Sequence, residues 1–587
     1  MGLLKPVNMV GSAILAAGLL LLCALPARAG VIGAELEALL PSLGPQEEVA
    51  VIVTMLDKVE LPAFSGKDRG LRRRNLIQSL KNKADETQAP VKALARAGGA
   101  KGLRPLWIVN GLALTARPAL IRALARRPDV ERVELDKHFE APVSTADVPA
   151  GPEWNIARIG APELWSLGYT GAGVVVAAMD TGVDVNHPDL ADRWRGGANS
   201  WFDPYGEHLT PYDRDGHGTQ VMGIMVGGSN GGTAVGVAPD AQWIAVKVFN
   251  DLGAASYSAV HLGFQWLLDP DGDPWTDDAP DVVNNSWGFD QEADRCVTEF
   301  REDVQILKAA EIAVVFSAGN GGPSDYTSVS PANYPEGFAA GAVDASDSID
   351  LYSSRGPSAC DGSIYPEVTA PGVSIRTTDL TFGGVIPDSY AYVSGTSFAS
   401  PHVAGAMALL LSGIPGLTVA ELEGALKESA LDLGFAGPDN VYGYGLLDVL
   451  EAFYLLDSPF SCTDADGDGY YAEADCGTAS DCNDLDPSIH PGASEIKHDG
   501  LDQDCNGWDL TIEVLEAVYV RKKDSLVVEA TSALGSDASL EVGGYGPMKW
   551  NRKSSSWTLS LNRVGGNPGE ISVSGKEGWE ITTVSEK

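Results

Sequence analysis

Val174-Val-Val-Ala-Ala-Met-Asp-Thr-Gly182 is an apolar, β-branched run that stops at a carboxylate and a turn. Three further runs share its character: Trp243-Ile-Ala-Val-Lys-Val-Phe249, Asp281-Val-Val-Asn-Asn285 and Ile312-Ala-Val-Val-Phe-Ser317. None alternates polar with apolar, so each reads as a strand covered on both faces. Helical stretches lie between them. That combination predicts a parallel sheet in a layered α/β domain from Trp154 to about Leu455, with functional groups gathered where strands end.

Three glycine-flanked segments place reactive side chains at such ends. Asp180 closes the first strand. His217 lies in Asp215-Gly-His-Gly-Thr219, at the start of a helix-like run. Ser397 lies in Ser394-Gly-Thr-Ser-Phe-Ala-Ser-Pro401, ahead of an apolar helix to Leu411. A serine hydroxyl is a poor nucleophile until an imidazole takes its proton, and the imidazole needs a carboxylate to fix its tautomer. Gly395 gives substrate backbone close access to Ser397. Pro401 is expected in the first helical turn, where its missing N–H costs nothing and nearby amides stay free for an oxyanion.

Asp180-Thr-Gly-Val-Asp-Val-Asn-His-Pro-Asp-Leu190, Asp215-Gly-His-Gly-Thr219 and Gly395-Thr-Ser-Phe-Ala-Ser-Pro-His-Val-Ala-Gly405 resemble, in the family's order, the three active-site signatures of subtilisin-like serine proteases. The resemblance covers roughly 154–455, with Asn155 to Pro162 similar to the usual lead-in. It implies Ser397 as nucleophile, His217 as proton shuttle and Asp180 as its orienter. Ala318-Gly-Asn-Gly321 resembles the segment whose amide holds the oxyanion, which assigns that role to Asn320. Asn285-Ser-Trp-Gly288 and Gly253 to Tyr257 resemble the two strands that clasp an extended substrate. Gly253, Ser286, Trp287, Gly288 and Gly319 are therefore the expected substrate-binding residues. Trp287 reads equally as a pocket wall or as core. With no charge evident in the pocket, a large apolar or aromatic residue is expected before the scissile bond. His187 and His402 sit inside signatures without a catalytic role in the family, and His261, on a helical stretch, is expected to face solvent.

The rest of the chain frames this domain. Lys5, the apolar run Ala13 to Leu22 and Ala27-Arg-Ala29 read as a cleaved export signal over 1–29, so the remaining chain is expected outside the cytoplasm with no membrane span. Residues 31–141 read as a small α+β unit, with strands at 47–56, 107–115 and 130–135 and helices at 71–97 and 119–127. This unit resembles the ferredoxin-like subtilase propeptide, an inhibitor and folding assistant, cut from the enzyme somewhere in 140–153. Residues 141–151 read as an exposed linker.

The chain has 587 residues, 44% hydrophobic and 21% charged, with a net charge of −39. Its acidity is uneven: residues 31–141 carry 18 Lys or Arg against 14 Asp or Glu, whereas 142–587 carry 21 against 66. A field of that sign disfavours nucleic acid and anionic lipid. It favours cations and suits docking of a basic segment.

Of seven cysteines, Cys23 leaves with the signal. Cys462, Cys476, Cys482 and Cys505 crowd into an acidic stretch, which leaves Cys296 and Cys360 to pair in the large domain. Zinc needs clustered Cys or His spacings, and none occurs. In Asp464-Ala-Asp-Gly-Asp-Gly-Tyr470, carboxylates stand at positions 1, 3 and 5 of a loop that can wrap calcium, with the Tyr470 carbonyl and Asp475 completing it. Asp481, Asp484 and Asp486, then Asp499, Asp502 and Asp504, repeat the theme. Residues 461–509 resemble the disulfide-linked, calcium-binding acidic repeats of secreted bacterial proteins, which implies structural Ca2+; a solvated acidic linker is the rival reading. Asp189 is a possible further calcium ligand by resemblance. Alternating residues over 510–587 predict a small β-sandwich.

These readings converge on a secreted serine endopeptidase made as an autoprocessed zymogen. Its expected partners are polypeptide substrates and its own propeptide, and it is expected to be a monomer. The alternative is a non-catalytic adhesin on a subtilase scaffold.

Overall fold

The computed structural model describes residues 30–61, 69–142, 145–146, 153–457, 465–471 and 480–587. The export-signal reading over 1–29, together with Cys462, Asp464, Asp475 and Cys476, lies outside them.

The chain divides into two compact units, 1–456 and 457–587. At the centre of the first is a seven-stranded sheet in the order Val368–Pro371, Ala339–Val343, Ala313–Ser317, Val282–Asn285, Val175–Asp180, Gln242–Lys247 and Trp201–Phe202. Every pairing is parallel. The apolar strands are explained by two separate cores. Val176, Ala178 and Ala245 face helices His217–Val226 and Thr396–Gly413, while Ala177, Met179 and Val246 face helices Tyr257–Leu268 and Arg301–Ala309. Alternate residues thus enter opposite apolar layers, so no polar alternation survives in the sequence. Strand order reverses at Val175–Asp180, whose carboxyl end is where an open α/β sheet leaves a crevice.

Residues 31–140 form their own five-stranded sheet, ordered Val31–Ile32, Val130–Leu135, Val49–Met55, Gly111–Ala116 and Lys101–Leu106. Helices Arg69–Ala97 and Pro118–Ala125 cover it through Val91, Ala95, Leu120 and Leu124. The strand expected at 107–115 begins only at Gly111, and residues 107–110 are the turn of a hairpin. Its partner Lys101–Leu106 is largely polar and exposed along one edge, which removed the apolar signal. Leu76, Ile77, Leu80 and Ile108 of this unit share a core with Phe264, Val304 and Ile306 of the large domain.

The expected exposed linker is partly engaged. Ala141 N–H donates to Gly253 O at 2.7 Å, and Thr145–Ala146 pairs antiparallel with Tyr390–Ser394. His261 is a clear correction. It is 2% exposed, because its helix turns that face toward Asp303 and Glu299, a pairing that helical periodicity alone does not reveal.

The second unit holds a five-stranded and a four-stranded sheet around Leu526, Val528, Leu540, Trp557 and Val573. Disulfides join Cys296 to Cys360 and Cys482 to Cys505. Among the described residues no helix is long and apolar enough to cross a membrane.

Candidate active site

Asp180 ends its strand beside His217, and helix Thr396–Gly413 starts next to that pair, the ring of Phe398 lying 5.5 Å from that of His217; Asp180, His217 and Ser397 are all buried, at 1%, 1% and 4% exposure. His217 Nδ1 lies 2.8 Å from Asp180 Oδ1. Burial alone would pull this imidazole down, but the charge and hydrogen bond of Asp180 outweigh it and hold His217 above the ordinary histidine value of 6.5. Asp180 thereby selects the tautomer with hydrogen on Nδ1. His217 Nε2 is buried and has no hydrogen-bond partner, so a proton acceptor faces the site. The Ser397 hydroxyl donates to Ser286 O at 3.3 Å.

The histidine is placed by backbone geometry. Gly218 packs so tightly that a Cβ would lie 2.1 Å from Gly182 O, and its N–H donates to Thr181 Oγ1 at 2.9 Å. Asp213, overlooked in the sequence, accepts from the Asp215, Gly216 and Thr219 amides and from the Thr219 hydroxyl. One carboxylate therefore fixes the whole turn that carries His217.

Ser397 is the second residue of helix Thr396–Gly413, where an N–H has no acceptor within the helix. Gly395 caps the helix at φ 142°, a region that favours glycine. Pro401 is not in the first turn but inside the helix. Its missing N–H would have served the Ser397 carbonyl; Ser286 Oγ donates to that oxygen instead, at 2.7 Å. Asn320 Oδ1 accepts from the Thr396 N–H and hydroxyl, both at 3.0 Å, which leaves its Nδ2 as the outward donor. Thr396 was a second omission; its Oγ1 also receives Gly319 N–H at 3.1 Å.

His138–Glu140 pairs antiparallel with Ala254–Ser256. Phe139 enters an aromatic box, with ring centroids 5.4 Å from Phe249, 5.6 Å from Trp287 and 5.3 Å from Phe289. Trp287 packs as core: at 1% exposure it also meets Phe300 and Phe316. The Ser286 side chain is fully buried and spent on helix Thr396–Gly413. Gly288 and Gly319 both pack against Val329.

The other histidines in the signatures are structural. His402 lies between Phe398 O and the Asn155 amide, and burial pushes it down to about 4. His187 accepts from Asp189 N–H and donates to Ser389 O. The Asp189 carboxylate is held by Asn230 and the Tyr390 hydroxyl.

In the second unit two acidic groups form, each with ligand oxygens within 4.8 Å: Asp466, Asp468 and Asp481, and Glu495, Asp502 and Asp504. Asp481 is 5% exposed and its Oδ2 has no hydrogen-bond partner. Glu495 was not singled out as a ligand, since it stands apart from the Asp-rich spacing. Asp484, Asp486 and Asp499 stand outside both groups and bind amides or side chains of nearby loops. Tyr470 stacks on His490 at 4.7 Å.

Residues 481–509 match a family described as a putative metal-binding motif and named for copper binding. Residues 171–445 match the Subtilase family. The chain is 37% identical to bacillopeptidase F of Bacillus subtilis over 65% of its own length, but spans only 28% of that protein. It is 37% identical to subtilisin E of Bacillus subtilis over 60% of its length and 83% of the relative's. Against the alkaline protease of Alkalihalobacillus alcalophilus the identity is 33%, covering 54% of this chain and 75% of that one. With the buried Asp180–His217 pair set beside Ser397 at the end of a parallel sheet, these matches place the chain in the subtilase family of serine endopeptidases.

Proposed function

We propose that the protein is a secreted endopeptidase made as a self-inhibited zymogen, with residues 31–141 as the inhibitory pro-segment ahead of the catalytic domain at 154–455. Ser397 attacks the peptide carbonyl. His217 Nε2 takes the hydroxyl proton and returns it to the leaving amine, and Asp180 stabilises the imidazolium. Rotation about the Ser397 side chain carries the hydroxyl from Ser286 O to Nε2, a contact that tightens when substrate is bound. The Asn320 amide and the Ser397 N–H take the oxyanion. The observation that carries this reading is the 2.8 Å Asp180–His217 contact with Nε2 left as an acceptor.

A polypeptide substrate lies along Ala254–Ser256 as His138–Glu140 does, bound through its backbone, so that side-chain selection rests on the aromatic box. Gly253, Gly288 and Gly319, without side chains, leave a substrate backbone room to approach. The pro-segment inhibits by holding this track itself. Its basic helix also sets Arg69 on Asp281 at 2.6 Å and Arg73 on Asp277 at 2.9 Å.

The acidic module at 461–509 takes structural Ca2+ through Asp466, Asp468 and Asp481 and through Glu495, Asp502 and Asp504. All-oxygen donors suit a hard cation, and the unpartnered Asp481 Oδ2 fits a ligand position. Calcium supplies charge there and no catalytic step.

A fluorophosphonate probe tests the assignment: it labels Ser397 in the processed enzyme, and Ser397→Ala abolishes both labelling and cleavage within 140–153 in a protease-free host. An unlabelled processed protein, or a processed Ser397→Ala chain, overturns it.

A further inference from the structure

The loop after helix Tyr257–Leu268 reads Asp269-Pro-Asp-Gly-Asp-Pro-Trp-Thr-Asp-Asp278. Ligand oxygens of Asp269, Asp271 and Asp278 lie within 4.8 Å of one another. Asp269 is 6% exposed, its side chain almost wholly enclosed, and its Oδ1 has no hydrogen-bond partner. Asp278 Oδ2 accepts from Asn199 Nδ2 at 2.9 Å and Asp271 N–H at 3.1 Å.

Two cations reach this group in the full-length chain: Arg195 of the catalytic domain, which donates to the Asp278 carbonyl at 2.6 Å, and a lysine of the pro-segment. Lys81, on helix Arg69–Ala97 of the pro-segment, donates its ammonium to Asp269 Oδ2 and, at 2.9 Å, to Gly272 O. An ammonium that bridges a carboxylate and a carbonyl occupies the position of a hard metal ion, and together with Arg195 it sets two positive charges against three carboxylates. The same helix holds Arg73 on Asp277 and Arg69 on Asp281. When it leaves, the loop loses Lys81, Arg73 and Arg69 together and keeps Arg195.

We propose that Asp269, Asp271 and Asp278, with the Gly272 carbonyl, form a calcium site of the catalytic domain that the Lys81 ammonium fills until the pro-segment departs. Carboxylate and carbonyl oxygens are hard donors, and a divalent ion supplies the charge that Lys81 and its neighbours withdraw. Calcium and the pro-segment then compete for one loop, so calcium favours release of the inhibitor and afterwards fixes the connection into strand Val282–Asn285, beside the substrate track. The exchange rests on the reading of 31–141 as a removable pro-segment. Its test avoids proteolysis, so the two can fail separately.

Bound calcium is counted by equilibrium dialysis with radiocalcium in two full-length, uncleaved chains, Ser397→Ala and Ser397→Ala/Lys81→Gln. The Lys81→Gln chain is expected to hold one more calcium ion per molecule and to lose it when Asp269→Asn is added. Equal counts in the two folded chains overturn the proposal, as does an extra ion that survives Asp269→Asn. Should circular dichroism show Lys81→Gln unfolded, the same count is made on the processed enzyme and its Asp269→Asn variant. One ion fewer in the variant supports the site, and equal numbers refute it.

Discussion

The hydroxyl of Ser286 donates to the carbonyl of Ser397 across 2.7 Å, replacing the helical hydrogen bond that Pro401 cannot make. Ser286, just past strand Val282–Asn285, thus anchors the turn that carries Ser397. Ser286→Ala leaves that carbonyl buried and unsatisfied, at a cost of about 1–3 kcal/mol. The loss is expected in urea unfolding of a Ser397→Ala background, which keeps the carbonyl and prevents self-digestion. Adding Pro401→Ala restores a helical donor and is expected to recover part of it; no recovery would show that the carbonyl is not the seat of the effect.

His217 gives a signed pH dependence. The base acts when neutral, so activity falls as pH drops through its folded value. Since Asp180 holds that value above 6.5, the acid limb of kcat/KM on a peptide substrate is expected with its midpoint above 6.5. A midpoint at or below 6.5 contradicts the coupling. Asp180→Asn releases the tautomer and is expected to lower kcat on the order of 10⁴-fold.

How legible these features were depends on how local their causes are. The central strands could be read because both their faces are buried, and Asp180, His217 and Ser397 because each lies in a short signature beside glycines. Thr396 and Asp213 escaped notice because their work, holding Asn320 and the His217 turn, appears only when distant segments meet. His261 was misjudged for a related reason: helix Tyr257–Leu268 is covered on both sides, and its partners Asp303 and Glu299 come from a later segment. Pro401 looked like a first-turn proline, but the helix begins at Thr396, too early for that.

On the proposed reading of 31–141 as a pro-segment, Phe139 is expected to dominate its binding, since among the described residues of that segment its ring is the one seated in the aromatic box. Truncating such an anchor costs about 2–4 kcal/mol, so Phe139→Ala is expected to raise the inhibition constant of the pro-segment, added to processed enzyme, by roughly 30- to 1,000-fold. The measurement is a titration of residual peptidase activity. An unchanged constant would move the main contact to helix Arg69–Ala97.

His261 carries a stability prediction. Burial pulls its imidazole down, but Asp303 at 2.9 Å and Glu299 at 3.2 Å reverse this and push it up to about 10. A raised value means that the stabilisation is complete below 6.5 and drains away as pH climbs toward 10. His261→Gln strands two carboxylates at a cost of about 3–5 kcal/mol, so its deficit against the parent in thermal unfolding is expected to be greatest below pH 6.5 and to shrink steadily up to pH 10. A deficit that grows over that window reverses the sign of the argument.

In the C-terminal unit, the Asp481 carboxylate is buried, and its Oδ2 lacks a hydrogen-bond partner. A carboxylate oxygen out of water without a donor is costly, and a cation shared with Asp466 and Asp468 removes that cost while cancelling their repulsion. Calcium at 100 times its dissociation constant stabilises a folded domain by about 2.7 kcal/mol, so chelation is expected to lower the unfolding midpoint of the 457–587 unit. Asp481→Asn keeps the shape but removes a charge, and is expected to leave calcium with little to add. If chelator and Asp481→Asn act independently, with their effects summing, calcium does not bind through Asp481, and the acidic loops are ordered by their own amide contacts.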